Sequence, residues 1–282
     1  MKRTSCHLIT LPATIRRVSP WYSFVIFGVF LIGLTKSGFG SGLGLLAVPV
    51  ITLAMGHIPG KGSQAGIGFM LPLLIAGDLI AVWQYRKRFS LNVVKRLFLG
   101  SVVGLILGAY LLWIFHRQKS DKLAGAVISI EIGIESIFLV SLYWWRQFRG
   151  VQKSLMSEPL RGNITGSVAA VSSTLAHGAG PIIATYLLPL GLDRQLYVGT
   201  CATYFFLLNT AKLPGYALSG QFSNVSPAFS FRFLPVVLAG AVFGVWLNKR
   251  MSDKLFMRIV YVTTFLLGWY VLFEGIETLV RS

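Results

Sequence analysis

The chain alternates between long apolar stretches and short polar, mostly basic ones. Continuous hydrophobic runs cover roughly 22–56, 64–84, 97–115, 123–145, 163–190, 197–218, 231–248 and 254–279. A bilayer core is about 30 Å thick and a crossing helix needs roughly 20 mostly apolar residues, so most of these runs fit one crossing each. The first and fifth are longer, about 35 and 28 residues. As unbroken helices they would measure about 52 and 42 Å, beyond the core even with ordinary tilt. Each is interrupted near its middle, by LTKSGFGSGLG (Leu34 to Gly44) and by LAHGAGPI (Leu175 to Ile182). Closely spaced glycines and Pro181 weaken a continuous helix there, which predicts two short half-helices meeting at a break in each run.

The two breaks occupy equivalent places, and other features recur with them. Gly104 and Gly108 of the third run match Gly240 and Gly244 of the seventh, and SDKL follows each pair, at Ser120 to Leu123 and Ser252 to Leu255. Phe69 and Phe205 fall in the runs between. The pattern predicts an all-α, polytopic transmembrane helical bundle of two repeats, the first helix of each broken at a glycine-rich segment. The expected organisation is a polar amino-terminal tail over 1–20, membrane repeats over 21–150 and 161–282, and a linker over 151–160. If each broken element turns back to its own side, the second repeat is inverted relative to the first. Element length favours that arrangement. Orientation stays open, because the positive-inside rule gives opposite answers for re-entrant and crossing elements.

Composition agrees with the pattern. Of 282 residues, 54% are apolar and 12% charged, too few charges to clothe a soluble domain of this size. The net charge of +17 would suit a nucleic-acid binder, but the bases fall in short runs between apolar stretches (Arg86, Lys87, Arg88; Lys249, Arg250), as in membrane loops. No nucleic-acid partner is expected, and the partners are membrane lipids and a small solute, with self-association open. Two cysteines, Cys6 and Cys201, make no disulfide framework.

The candidate chemistry lies where polar residues enter the apolar runs. Broken helices leave backbone groups that lipid cannot satisfy, so the breaks must line protein or a wet cavity. Half-helix amino termini offer free N–H groups and a positive dipole end, which suits an anion. Gly40, Gly42 and Gly44 would admit an anion to the backbone from one half, and Gly178 and Gly180 from the other. Lys36 and Lys212 are bases at membrane depth and are functional candidates on that ground. Asn209 sits one turn before Lys212, His177 lies at the second break, and Pro214 and Gly215 are expected to bend or end the helix after Lys212. Asp78 has three open roles: proton carrier, partner of Lys36, or helix-end carboxylate paired with Arg86 or Lys87. Glu131 and Glu135, four apart, are a second candidate for coupling or for pairing with a loop base.

Soluble-enzyme motifs are set aside. GFGSGLG has no strand before it, and in GHIPGKGS (Gly56 to Ser63) the spacing to Lys61 is wrong for a phosphate loop. With no CxxC, HExxH or carboxylate cluster of metal spacing, no metal, cofactor or enzymatic activity is expected. The small-xxx-small series Gly100, Gly104, Gly108 reads as close helix packing.

The strings TKSGFGSGLGLLAVPV (Thr35 to Val50) and LPLLIAGDLIAVWQYR (Leu71 to Arg86) resemble the TauE/SafE family of sulfite and organosulfonate exporters. AHGAGPIIATYLL (Ala176 to Leu188) and GLDRQLYVGTCATYFFLLNTAKLPGY (Gly191 to Tyr216) resemble its second repeat more closely still. Nearly the whole chain after residue 20 is covered. The resemblance implies a multi-pass secondary transporter of the cell membrane for sulfite, organosulfonates or related small anions. His177 departs from the asparagine expected in the AHGAGP-type motif. On this reading Lys36, Lys212 and the half-helix N–H groups attract the anion, Asn209 and His177 orient it, and Asp78 and Glu131 serve coupling. An anion channel and an intramembrane enzyme acting on a lipid are the alternatives. The substrate, the direction of transport and the coupling ion are left open.

Overall fold

The computed structural model describes residues 20–38, 46–58, 63–116, 121–149, 157–223, 225–248, 250 and 252–281. They form helices α1 (Trp21–Gly38), α2 (Ala47–Gly56), α3 (Ser63–Tyr85), α4 (Leu91–His116), α5 (Asp121–Arg149), α6 (Glu158–Ala176) and α7 (Ala179–Leu187). A 3-10 turn at Leu188–Leu190 follows, then α8 (Arg194–Ala211), α9 (Leu213–Leu218), α10 (Pro227–Phe231), α11 (Leu234–Asn248) and α12 (Asp253–Val280). No strand occurs among the described residues.

Among the described residues two helices are long and apolar enough to cross a membrane, over Ala65–Tyr85 and Leu91–Ile114. At 1.5 Å per residue each reaches about 30 Å or more. Their surroundings differ. The α3 span is 72% buried and the α4 span only 33%, so α3 is a central post and α4 lies at the periphery. The outward face of α4 carries Leu99, Val103, Ile106 and Tyr110, all more than half exposed. A contiguous apolar face of this kind suits lipid rather than water. Arginines stack over tryptophans near the carboxyl ends of three helices, Arg86 on Trp83, Arg149 on Trp145 and Arg250 on Trp246, at 4.9 to 5.5 Å. Amphipathic rings and snorkelling bases belong at a headgroup boundary.

Local chemistry sets the helix ends. Asp193 caps α8, its Oδ1 accepting from the Gln195 and Leu196 amides at 3.0 Å each. Ser157 precedes α6 and Pro159 stands in its first turn. Helix α6 starts at Glu158, before the fifth apolar run begins at 163, with no side-chain capping bond from Ser157. The run over 197–218 divides at Lys212 into α8 and α9, ahead of Pro214, which cannot donate in a continuing helix.

Three long seams hold the bundle: α4 along α6, α1 along α11, and α5 along α12. Glycines make the first two close. A Cβ at Gly100 or Gly104 would overlap the carbonyl oxygens of Asn163 and Ser167 on α6. One at Gly240 or Gly244 would overlap those of Phe30 and Leu34 on α1. Without a hydrophobic drive between helices in lipid, such backbone approach is what association rests on. The central α3 packs on α8, and that contact builds the site.

Candidate functional site

Lys36 in the last turn of α1, Asp78 on α3 and Asn209 near the end of α8 converge on one point. Lys36 Nζ donates to Asp78 Oδ1 at 2.6 Å, and Asn209 Nδ2 donates to Asp78 Oδ2 at 2.6 Å. Asp78 is wholly buried and Lys36 is 7% exposed, so the ion pair has been removed from water and depends on its hydrogen bonds. The Phe205 ring lies 4.7 Å from the ammonium and adds a cation–π contact. Among the three sequence-based roles for Asp78, the structure shows the partnership with Lys36; Arg86 stacks on Trp83 instead.

A second cluster forms where α6 stops. His177 ends that helix in the left-handed region, at φ 54°, and its amide reaches back to Ser173 O at 3.1 Å. This conformation costs a residue with a side chain about 1–3 kcal/mol and persists when the surroundings fix it. Both ring nitrogens are engaged. Nδ1 lies 2.9 Å from Lys212 Nζ and Nε2 lies 3.1 Å from Ile67 O on α3. An ammonium only donates, so Nδ1 accepts from Lys212 and the Nε2–H donates to Ile67. The imidazole is thereby neutral and in one tautomer.

Lys212, 1% exposed, sits in the junction between α8 and α9. Its other two protons go to Ser173 O at 2.9 Å and Ser173 Oγ at 3.0 Å. All three acceptors are neutral. Part of the compensation is the α6 carboxyl end, whose carbonyls carry partial negative charge. Among the described residues no carboxylate pairs with Lys212. Tyr216 on α9 braces the junction, donating from its hydroxyl to Thr174 O at 2.7 Å.

Between the clusters lies a cavity of about 20 Å³ lined by Lys36, Ser173, His177, Gly180, Phe205 and Asn209, room for about one water. Asn209 Oδ1 is buried without a hydrogen-bond partner and needs a donor there. The site holds two ammonium groups against one carboxylate.

The structure thus brings Lys36, Asp78, His177, Gly180, Asn209 and Lys212 together. Gly178 lies beside them for a steric reason: a Cβ there would strike the Glu135 carboxylate, which accepts from Ser172 Oγ. Glu131, one turn before Glu135 on α5, stands outside the lysine cluster. Gly40, Gly42 and Gly44, and with them the first break, lie outside the described residues, as does most of the 1–20 tail. Ser173, Tyr216 and the Ile67 carbonyl were not singled out from the sequence. Ser173 carried a signal, a hydroxyl four residues before His177 in an apolar run. A backbone carbonyl such as that of Ile67 has no sequence signature.

An all-helical chain with an apolar outer face and a buried charged site at a helix junction has the make-up of a membrane transporter. The chain belongs to the sulfite exporter TauE/SafE family, whose model matches residues 25–271. The family and a curated relative are named as transporters, not enzymes. Among curated proteins the chain is similar to a triacylglyceride transporter of Mycolicibacterium smegmatis, 24% identical over 269 residues covering 81% of this chain. The chain spans 46% of that relative's length. No solved structure matches it.

Proposed function

We propose that the chain is a secondary transporter of the cell membrane that exports a small anion, sulfite or an organosulfonate, by alternating access. The observation that carries this reading is Lys212, a buried ammonium held by neutral groups only. A cation in that setting gains from an anion, since hydrogen bonds to a charged acceptor are about twice as strong as neutral ones. Lys36 joins Lys212 in attracting the anion, and Asn209 and His177 orient it. Gly180 brings the first turn of α7 to the cavity, where helix N–H groups favour negative charge. Asp78, already the counter-ion of Lys36, and Glu131 are the coupling candidates. With 20 Å³ inside, the site is closed around less than a substrate, so binding requires a different arrangement of the helices.

The moving parts are two inverted repeats, 21–150 and 161–282, joined by 151–160 and crossing the membrane several times. The seams support this division. Exchanging the halves turns the α1–α11 contact into α6–α4 and maps α5–α12 and α3–α8 onto themselves, a two-fold relation in packing. The glycines of each half's outer helix, Gly104 and Gly240, meet carbonyls of the other half's first helix.

The test is flux in proteoliposomes with sulfite, sulfoacetate and taurine, comparing wild type with Lys36→Ala and Lys212→Ala. Saturable flux that each substitution lowers at least tenfold is expected. Full activity in both variants contradicts the assigned roles, and flux that never saturates contradicts a transporter in favour of a channel.

A further inference from the structure

A second cavity, about 300 Å³, lies on the other side of Lys212. Leu105, Ile106 and Ala109 of α4 form one wall, and Ala211, Lys212 and Gly215 at the α8–α9 junction form the other. It opens on the outer face of α4 beside Ile106, which is 67% exposed. Residues 105–109 sit in the second half of the apolar span Leu91–Ile114, short of its end, so the mouth opens along the apolar face of α4 and not beyond it. The lining is apolar apart from Thr174 and Lys212, and Thr174 Oγ1 is already spent on Ala170 O at 2.7 Å.

Lys212 therefore belongs to two spaces. It lines the outer cavity, while its ammonium holds Ser173 and His177, which line the inner one. The volumes are unequal. The inner space accepts about one water, whereas sulfite alone has four non-hydrogen atoms; the outer space is of the size that small-molecule pockets have, roughly 300 Å³ upward. An apolar pocket lined by a buried lysine whose direct acceptors are all neutral matches one chemical class, an anionic head on an apolar tail. The head would replace a neutral acceptor of Lys212, and the tail would fill the space between α4 and α9. A neutral lipid would gain the tail contact and nothing from the cation.

We propose that the outer cavity is the tail subsite of the transported anion, reached sideways from the membrane, and that the preferred cargo is an alkyl-chain sulfonate or a similar amphiphilic anion. This rests on the reading of Lys212 as an anion site. Burial of each methylene then strengthens binding about fourfold until the cavity is full.

The experiment titrates the full chain, in lipid nanodiscs, with linear alkanesulfonates from methane- to octanesulfonate, subtracting partitioning into empty nanodiscs. Wild type is expected to show affinity rising severalfold per carbon and then levelling off. Ile106→Trp at the mouth and Ala109→Leu on the wall are expected to reduce the ratio of octane- to methanesulfonate affinity at least tenfold. Lys212→Gln is expected to weaken the whole series together. A flat series in wild type or an unchanged ratio in both cavity variants overturns the tail subsite, and octan-1-ol binding as tightly as octanesulfonate overturns the amphiphilic-anion cargo. Absence of binding by every sulfonate overturns instead the anion reading beneath it.

Discussion

Lys36 and Lys212 are both buried, and both close the end of a helix that stops inside the protein. Lys36 faces a carboxylate at 2.6 Å, and that carboxylate is held in turn by Asn209. Lys212 faces a carbonyl, a hydroxyl and an imidazole nitrogen. The first arrangement is electrically closed and resembles a structural joint between α1, α3 and α8. The second is open: the direct acceptors of its ammonium are all neutral, and the one nearby carboxylate, Asp78, is already bonded to Lys36 and Asn209. The same residue type, at similar depth, is paired in one place and unpaired in the other, so Lys36 adds attraction from within an ion pair while Lys212 is the one free to exchange a neutral acceptor for the anion.

The largest effect should come from breaking the closed side. Asp78→Asn leaves the Lys36 ammonium without its counter-charge, and removal of one partner from a buried pair costs about 3–5 kcal/mol. Chemical or thermal unfolding in nanodiscs measures it. Lys36→Met should cost a similar amount, and Lys36→Met with Asp78→Leu should recover most of the loss; a double variant no better than either single one would mean that the pair does not act as a unit. Next come the seams. Gly104→Leu and Gly240→Leu drive a side chain into a helix backbone, and overpacking costs about 1–3 kcal/mol. Near-equal losses are expected if the halves are related as the packing suggests, and a loss at one seam alone would separate them. Smaller still is His177→Asn, which tolerates the left-handed backbone but cannot reproduce both ring hydrogen bonds. A loss of about 1 kcal/mol is expected, with His177→Ala worse because it keeps neither.

The sequence pattern located the charged site better than it located the helix ends. Lys36, Asp78, His177, Asn209 and Lys212 announce themselves because a polar group in an apolar run is expensive, and expense implies a partner. Which partner was not legible: Asp78 had Arg86 and Lys87 just past the end of its own helix, yet it bonds to Lys36, 42 residues away. Hydropathy also merged α8 with α9 and α1 with α2 into single runs, because it reads transfer energy and not backbone direction. Pro214 marked the α8–α9 junction. Helix α6 began earlier than its apolar run for the converse reason, since Pro159 suits the first turn of a helix in polar sequence. The outer cavity had no trace in the sequence, because it is a gap between α4 and the α8–α9 junction set by packing.

The most direct test compares Lys212→Met with wild type in nanodiscs, each unfolded thermally with and without a sulfonate at saturating concentration. A ligand that binds only the folded chain raises its stability by an amount set by concentration over affinity, about 2.7 kcal/mol at a hundredfold excess. The account predicts that Lys212→Met is at least as stable as wild type without ligand, because a costly buried cation has been removed, and that the sulfonate stabilises wild type alone. Equal stabilisation of both proteins, or a Lys212→Met variant as crippled without ligand as Asp78→Asn, would contradict the claim that Lys212 is the open half of the site.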